Sequence, residues 1–137
     1  MKLRHLLLPL ALTTTAAFAQ DKPAAPPAPT FATVLDHVDL KDGDTFVFLG
    51  DSITHQCLYT QYVEDFFYTR YPKTRIHFHN AGVGGDRASD ALLRFDEDVA
   101  AYKPKYVTIL LGMNDGGYRG FDQPTFDTYS AGMTTIL

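Results

Sequence analysis

Thr45-Phe46-Val47-Phe48-Leu49-Gly50-Asp51-Ser52-Ile53-Thr54 is the stretch on which the reading of the fold turns. A short apolar, β-favouring run stops abruptly at a glycine, and a polar, turn-forming triplet follows at once. A run without polar alternation is the mark of a strand buried on both faces, as in a parallel sheet covered by helices on each side. Immediately downstream Leu58, Tyr62, Val63, Phe66 and Phe67 recur at three- and four-residue spacing, and Pro72 closes the segment. That spacing predicts an amphipathic helix over 58–71.

The same alternation then repeats. Residues 75–79 (RIHFH) read as a second strand, and residues 80–86 (NAGVGGD) carry a glycine density suited to a loop whose backbone approaches something closely. Ala88, Ala91, Leu92, Phe95 and Val99 fall on one face of a second predicted helix, opposite Ser89, Asp90, Arg94, Asp96, Glu97 and Asp98, and Pro104 follows its end. Residues 106–111 (YVTILL) form the most β-branched and apolar run, ended by Gly112, and residues 125–137 open a third helix. Strands alternating with helices imply parallel strands joined by right-handed crossovers in one α/β domain. In such sheets a ligand sits beyond the carboxyl ends of the strands, which here are residues 50–55, 80–86 and 112–115.

With 45% hydrophobic and 20% charged residues among 137, the composition is that of an ordinary folded domain. The first nineteen residues stand apart. Lys2, Arg4 and His5 precede a short apolar run, and Ala17-Phe18-Ala19 places small residues at a cleavage site, so 1–19 reads as a signal peptide cleaved near Ala19. The run is shorter than the ~20 residues a bilayer-spanning helix needs, so no membrane span is expected. Residues 20–30, rich in proline and alanine, read as an extended linker, and the folded domain is taken as 31–137. Removing 1–19 takes away Lys2 and Arg4 and no acid, leaving 10 basic against 16 acidic residues, a formal charge of −6. Nucleic acid and anionic membrane surfaces demand a basic face and are not expected partners. Cys57 is the only cysteine, which rules out an internal disulfide; a small buried hydrophobe is the expectation for it.

Three blocks at the strand ends carry a family likeness: Gly50-Asp51-Ser52, then Gly85 within residues 80–86, then Gly112-Met113-Asn114-Asp115. In order and in position the chain resembles the SGNH or GDSL hydrolases, serine esterases and acylhydrolases. The resemblance implies a flavodoxin-like three-layer α/β fold with a parallel sheet. It also implies Ser52 as nucleophile and an oxyanion hole built from the amides of Ser52 and Gly85 and the side-chain amide of Asn114. The family's fourth block, Asp-x-x-His, is absent, and no histidine follows His79. The resemblance therefore implies that the C-terminal strands and helix, with the catalytic Asp and His, lie beyond residue 137, and that the 137 residues alone are inactive. No cofactor and no metal is called for.

The chemistry of the blocks stands apart from the likeness. Acyl transfer by a serine needs an exposed nucleophile, a base to take its proton, and hydrogen-bond donors where negative charge grows on the carbonyl oxygen. The blocks supply the first and third. Thr54 stands where a nucleophile elbow Gly-x-Ser-x-Gly would have its second glycine, and Arg87 where a dinucleotide fingerprint would have its third.

His55 is expected as a loop or helix-start residue rather than a base for Ser52. His77 and His79 are only two ligands and are read as structural. Asp51 and Asp115 are expected to hold loop backbone. Arg87 and Arg94 are expected to brace the glycine loop, with recognition of an acidic substrate group as the alternative. Tyr118, Arg119 and Phe121, in the segment 116–124, are candidate substrate-pocket residues. The expected function is an exported esterase cleaving acyl or acetyl esters of carbohydrates or lipids, with a small-molecule or polysaccharide ester as substrate. The alternative is a non-catalytic binding module on the same fold.

Overall fold

The structure, a computed structural model, describes residues 38–137. The signal peptide read over 1–19, the linker over 20–30 and the start of the domain at Phe31 lie outside the described residues.

Three strands, β1 (Thr45–Gly50), β2 (His77–Gly82) and β3 (Tyr106–Leu110), form a parallel sheet in the order β2-β1-β3. Phe48 of β1 pairs with Asn80 on one side and Thr108 on the other. The helices are α1 (Ser52–His55), α2 (Leu58–Arg70), α3 (Ala88–Leu93), α4 (Phe95–Asp98), α5 (Met113–Gly116) and α6 (Gln123–Ile136), with a 3₁₀ turn at Ala100–Tyr102. This is the expected α/β fold.

β1 lies at the centre because both of its faces are apolar. Val47, Phe48 and Leu49 are each at most 1% exposed. Strand alternation sends Val47 and Leu49 to one face and Phe46 and Phe48 to the other. On the first face Val47, Leu49 and Ala81 pack with Ala91, Val99 and Ile136. On the second Phe46 and Phe78 join Phe67 of α2 with Leu40 and Ile76, while Phe48 stacks on Phe78 at 5.9 Å. The chain thus makes three layers. Since β2 lies to one side of β1 and β3 to the other, the strand order reverses at β1, and a crevice opens past its carboxyl end.

Three of the differences between the predicted and the observed elements bear on the site. β2 begins two residues later than the predicted strand and runs to Gly82, because pairing with β1 draws Asn80, Ala81 and Gly82 into the ladder. The helix expected across 88–99 breaks at Arg94, with α3 before it and α4 after it. Arg94, placed on the solvent face by helical periodicity, is instead turned inward, its side chain 17% exposed. In α2 the buried residues are Thr60 and Phe67, while Leu58 and Tyr62, expected on the apolar face, are 63% and 78% exposed. The buried Thr60 hydroxyl is satisfied by donating to the Cys57 carbonyl (3.1 Å) and accepting from Asn80 (3.3 Å).

α6 starts where Asp122 caps it, accepting from the amide (3.1 Å) and the hydroxyl (2.7 Å) of Thr125. Those two bonds, and then the charge of Arg119, hold the Asp122 carboxyl below the usual carboxylate range. No helix among the described residues is long and apolar enough to cross a membrane.

Gly82 is where α1 meets the sheet. A Cβ there would stand 2.3 Å from the backbone nitrogen of His55 and 2.7 Å from the carbonyl carbon of Thr54. Backbone cannot swing aside as a side-chain tip can, so Gly82→Ala is expected to cost about 3 kcal/mol through overpacking. A thermal melt checks this: a loss of roughly 10 °C is the outcome for a domain of this size.

Candidate active site

Ser52 is the first residue of α1, directly after the carboxyl end of β1. The short helix forms because Asp51 caps it: the buried Asp51 carboxylate accepts the Ile53 amide at 2.9 Å, and its carbonyl accepts the His55 amide at 2.9 Å. Thr54 then points into the protein, fully buried, with its hydroxyl bonded to that of Tyr59 (2.9 Å). Ser52 is left half-buried at the crevice.

The loop after β2 wraps back onto β1, since the Val83 amide donates to the Gly50 carbonyl at 3.0 Å. It passes beside the serine: a Cβ on Gly84 would lie 4.0 Å from the Cβ of Ser52. Gly85 has φ +89°, a left-handed conformation that glycine adopts without strain, and the space before it is open. Asn114, in α5 after β3, donates from Nδ2 to the Asp86 carbonyl at 2.9 Å and to Asp51 Oδ2 at 3.4 Å. One side chain thereby ties the third loop to the first two. The structure brings Ser52, the residues 84–86 and Asn114 to one end of the sheet.

Asp51 and Asp115 both hold backbone. Asp115 Oδ1 accepts the Ala88 amide at 3.0 Å, fastening the start of α3 to the Asn114 loop, while its Oδ2 is buried without a partner. Arg94 pairs with Asp86 (2.7 Å) and Asp98 (2.9 Å) and donates to the Ala81 carbonyl at 2.8 Å. A single guanidinium thus clamps the end of β2 to the loop that follows it. Removing it leaves the Asp86 carboxylate, 11% exposed, without its cation. Arg94→Met is expected to destabilise by about 2–3 kcal/mol, a buried-pair cost discounted for partial solvent access. Chemical denaturation checks it, and Arg94→Lys, which keeps the charge and loses the planar fork, should fall between. Arg87 makes no such clamp; its backbone amide donates to Asp90 at 3.1 Å and its side chain is exposed.

The described histidines lie elsewhere. His55 Nδ1 donates to the Gly82 carbonyl at 3.1 Å, tying its ring to β2. His77 is exposed, and His79 stacks on Tyr102 with ring centroids 3.7 Å apart. Among the described residues no group of three or more His, Cys, Asp or Glu could hold a metal. Cys57 is half-buried rather than buried, with positive φ (62°), and its Sγ accepts from Asn80 at 3.2 Å.

Arg119 and Phe121 line a cleft of about 190 Å³ between the segment after α5 and α6, whereas Tyr118 is 79% exposed and lines neither cleft of this region. Sequence reasoning assigned no role to Thr54 or Asn80. Asn80 donates to the Thr54 carbonyl (2.7 Å) and accepts the Gly82 amide (2.9 Å), locking α1 to β2. An Asn two residues before a glycine is an Asx-turn signal that could have marked it.

A parallel α/β sheet with a serine at its switch point and glycine and asparagine loops converging on it defines the class of the protein. The chain belongs to the GDSL-like lipase/acylhydrolase family, whose model matches residues 48–137. It is 34% identical over 98 residues to an acetylxylan esterase of Geobacillus stearothermophilus, covering 60% of this chain and 44% of that one. The solved structure of an acetylxylan esterase from the same organism superposes with a TM-score of 0.61 at 29% identity, over 71% of this chain and 54% of that one. Structures described as catalytic mutants of that esterase carry alanine at a serine, an aspartate and a histidine. A gut microbial diltiazem-metabolizing enzyme aligns with a TM-score of 0.65 at 31% identity, over 71% of this chain and 24% of that one. A segment of 36 residues is 56% identical to an uncharacterized lipoprotein of Bacillus subtilis, covering 26% of this chain and 15% of the relative. The chain spans about half the length of the acetylxylan esterases it matches.

Proposed function

We propose that this chain carries the nucleophile and the anion-stabilising half of an exported serine esterase that removes acyl or acetyl groups from carbohydrate esters. The observation that carries the reading is the convergence on Ser52 of the residues 84–86 and Asn114, held by the bonds from Asn114 to Asp86 and Asp51. Ser52 Oγ attacks the ester carbonyl while its proton passes to a histidine oriented by an aspartate, both supplied by sequence outside these 137 residues. The alcohol leaves, water enters, and the acyl-enzyme is hydrolysed.

Negative charge grows on the carbonyl oxygen, where the amides of Ser52 and Gly85 and one N–H of Asn114 would stabilise it. The Asp86 carbonyl fixes one Asn114 N–H at 2.9 Å; the contact to Asp51 is longer, 3.4 Å, and the oxyanion competes with it. Carbohydrate acetyl esters are the favoured substrates because relatives named acetylxylan esterases match this chain both in sequence and in structure. The leader read in residues 1–19 and the lipoprotein relative support export.

A second reading, a binding module without chemistry, is favoured by one observation: His55 is tied to β2, and His77 and His79 lie on the strand away from Ser52. A fluorophosphonate probe decides between them. Full-length protein should be labelled and its Ser52→Ala variant spared; absence of labelling in both would leave the binding module.

A further inference from the structure

A second cleft, of about 200 Å³, opens beside Asn114 and Asp115, between the start of α3, the turn after α5 and the first turns of α6. Its walls are polar and include Arg87, Arg119, Ser89, Thr125 and Thr128. Of the neighbouring carboxylates, Asp90 and Asp122 bond other donors, while Asp115, in the wall of the cleft, has one oxygen bonded and its buried Oδ2 without a partner. Asp115 Oδ1 takes the Ala88 amide, Asp90 takes the Arg87 amide, and Asp122 takes the amide and hydroxyl of Thr125. Lys41, Lys105 and Arg94 form ion pairs, whereas neither Arg87 nor Arg119 is directly paired among the described residues. Arg119 is partly seated: its guanidinium lies over Gly117, where a Cβ would stand 3.3 Å from Nε. Two guanidiniums without a directly paired carboxylate thus face one small cleft, whose wall carries a single carboxylate, Asp115.

We propose that this cleft is an anion subsite, in which Arg87 and Arg119 together take a carboxylate carried by the ester substrate. The assignment rests on the esterase reading above and narrows its substrate class to acidic esters. The planar fork of a guanidinium matches a carboxylate with two parallel N–H donors, and two such groups can hold one anion from both sides. Asn114 belongs to this cleft and to the Ser52 site alike, so the anion sits next to the reacting ester. Two placements bring the carboxylate to the cleft: on the alcohol part of the ester, as in an O-acetylated uronic acid, or on the acyl part, as in a hemisuccinate.

Three substrates separate these cases with full-length protein: an O-acetyl glucuronoside, the matching O-acetyl glucoside, and the glucoside hemisuccinate. Wild type is expected to prefer one of the two anionic esters in kcat/KM, and the preferred one names the side that carries the charge. The ratio of anionic to neutral kcat/KM should fall roughly 3- to 10-fold in Arg87→Gln and in Arg119→Gln, as partly exposed charge pairs allow. Arg119→Glu should invert the preference. Calorimetric titration of the Ser52→Ala protein with glucuronate, succinate and glucose gives a readout without turnover, in which one of the anions binds and Arg119→Gln loses it. Wild type with no preference for either acidic ester, or a preference that the substitutions leave intact, overturns the subsite. Equal titration of the anions and glucose does the same. Failure of all three esters to react would instead count against the esterase reading, and the titration would still decide the subsite.

Discussion

Ser52→Ala in the full-length protein is expected to lower kcat on p-nitrophenyl acetate by about 10⁵- to 10⁶-fold, roughly 7–8 kcal/mol of barrier, while the fold is kept. The size follows from what the serine is proposed to do. Without the attacking oxygen the base has nothing to activate, and the anion-stabilising donors act only on attack by water. The fold is kept because α1 is held by other groups: the Asp51 cap, the buried Thr54 and its bond to Tyr59. No hydrogen bond to the Ser52 hydroxyl is made by the described residues, so its removal leaves no partner stranded. Circular dichroism and a thermal melt establish the fold, and initial rates establish the loss. A variant hydrolysing the ester at the wild-type rate would place the chemistry elsewhere.

Asn114→Ala should have the next largest effect, lowering kcat by about 10²- to 10³-fold with KM little changed, because its amide is proposed to act on charge that exists only in the transition state. The same side chain also bonds the Asp86 carbonyl, so two consequences have to be told apart. A structural tie would show as a lowered melting temperature with kcat and KM both disturbed. An oxyanion donor shows as a loss confined to kcat. A drop in kcat of less than threefold would assign Asn114 to holding the loop.

Much of this site was legible before any coordinate. β1 was, because a strand buried on both faces is apolar at every position, and Val47, Phe48 and Leu49 left no other reading. The three strand-end blocks were legible as well, since glycine and short polar residues announce sharp turns directly. Arg94 was misplaced by periodicity. Helical spacing asks only which face a residue lies on, whereas Arg94 breaks the helix to reach Asp86 and the Ala81 carbonyl. Asn80 and Thr54 carried no visible role for a related reason. A polar side chain turned inward is explained by its partners, and the groups that accept from Asn80 lie 20 to 26 residues away.

By itself, then, the sequence determined the order of strands and helices, the parallel sheet and the loops in which Ser52, Gly85 and Asn114 sit, because these follow from local pattern and turn chemistry. Only the tertiary structure decided how those loops are held to one another. The Arg94 clamp, the Asn80 lock on α1, the Asn114 bridge and the pairless Arg87 and Arg119 on one cleft all depend on which distant groups meet, and contacts between residues far apart in the chain are set by packing rather than by neighbours in sequence.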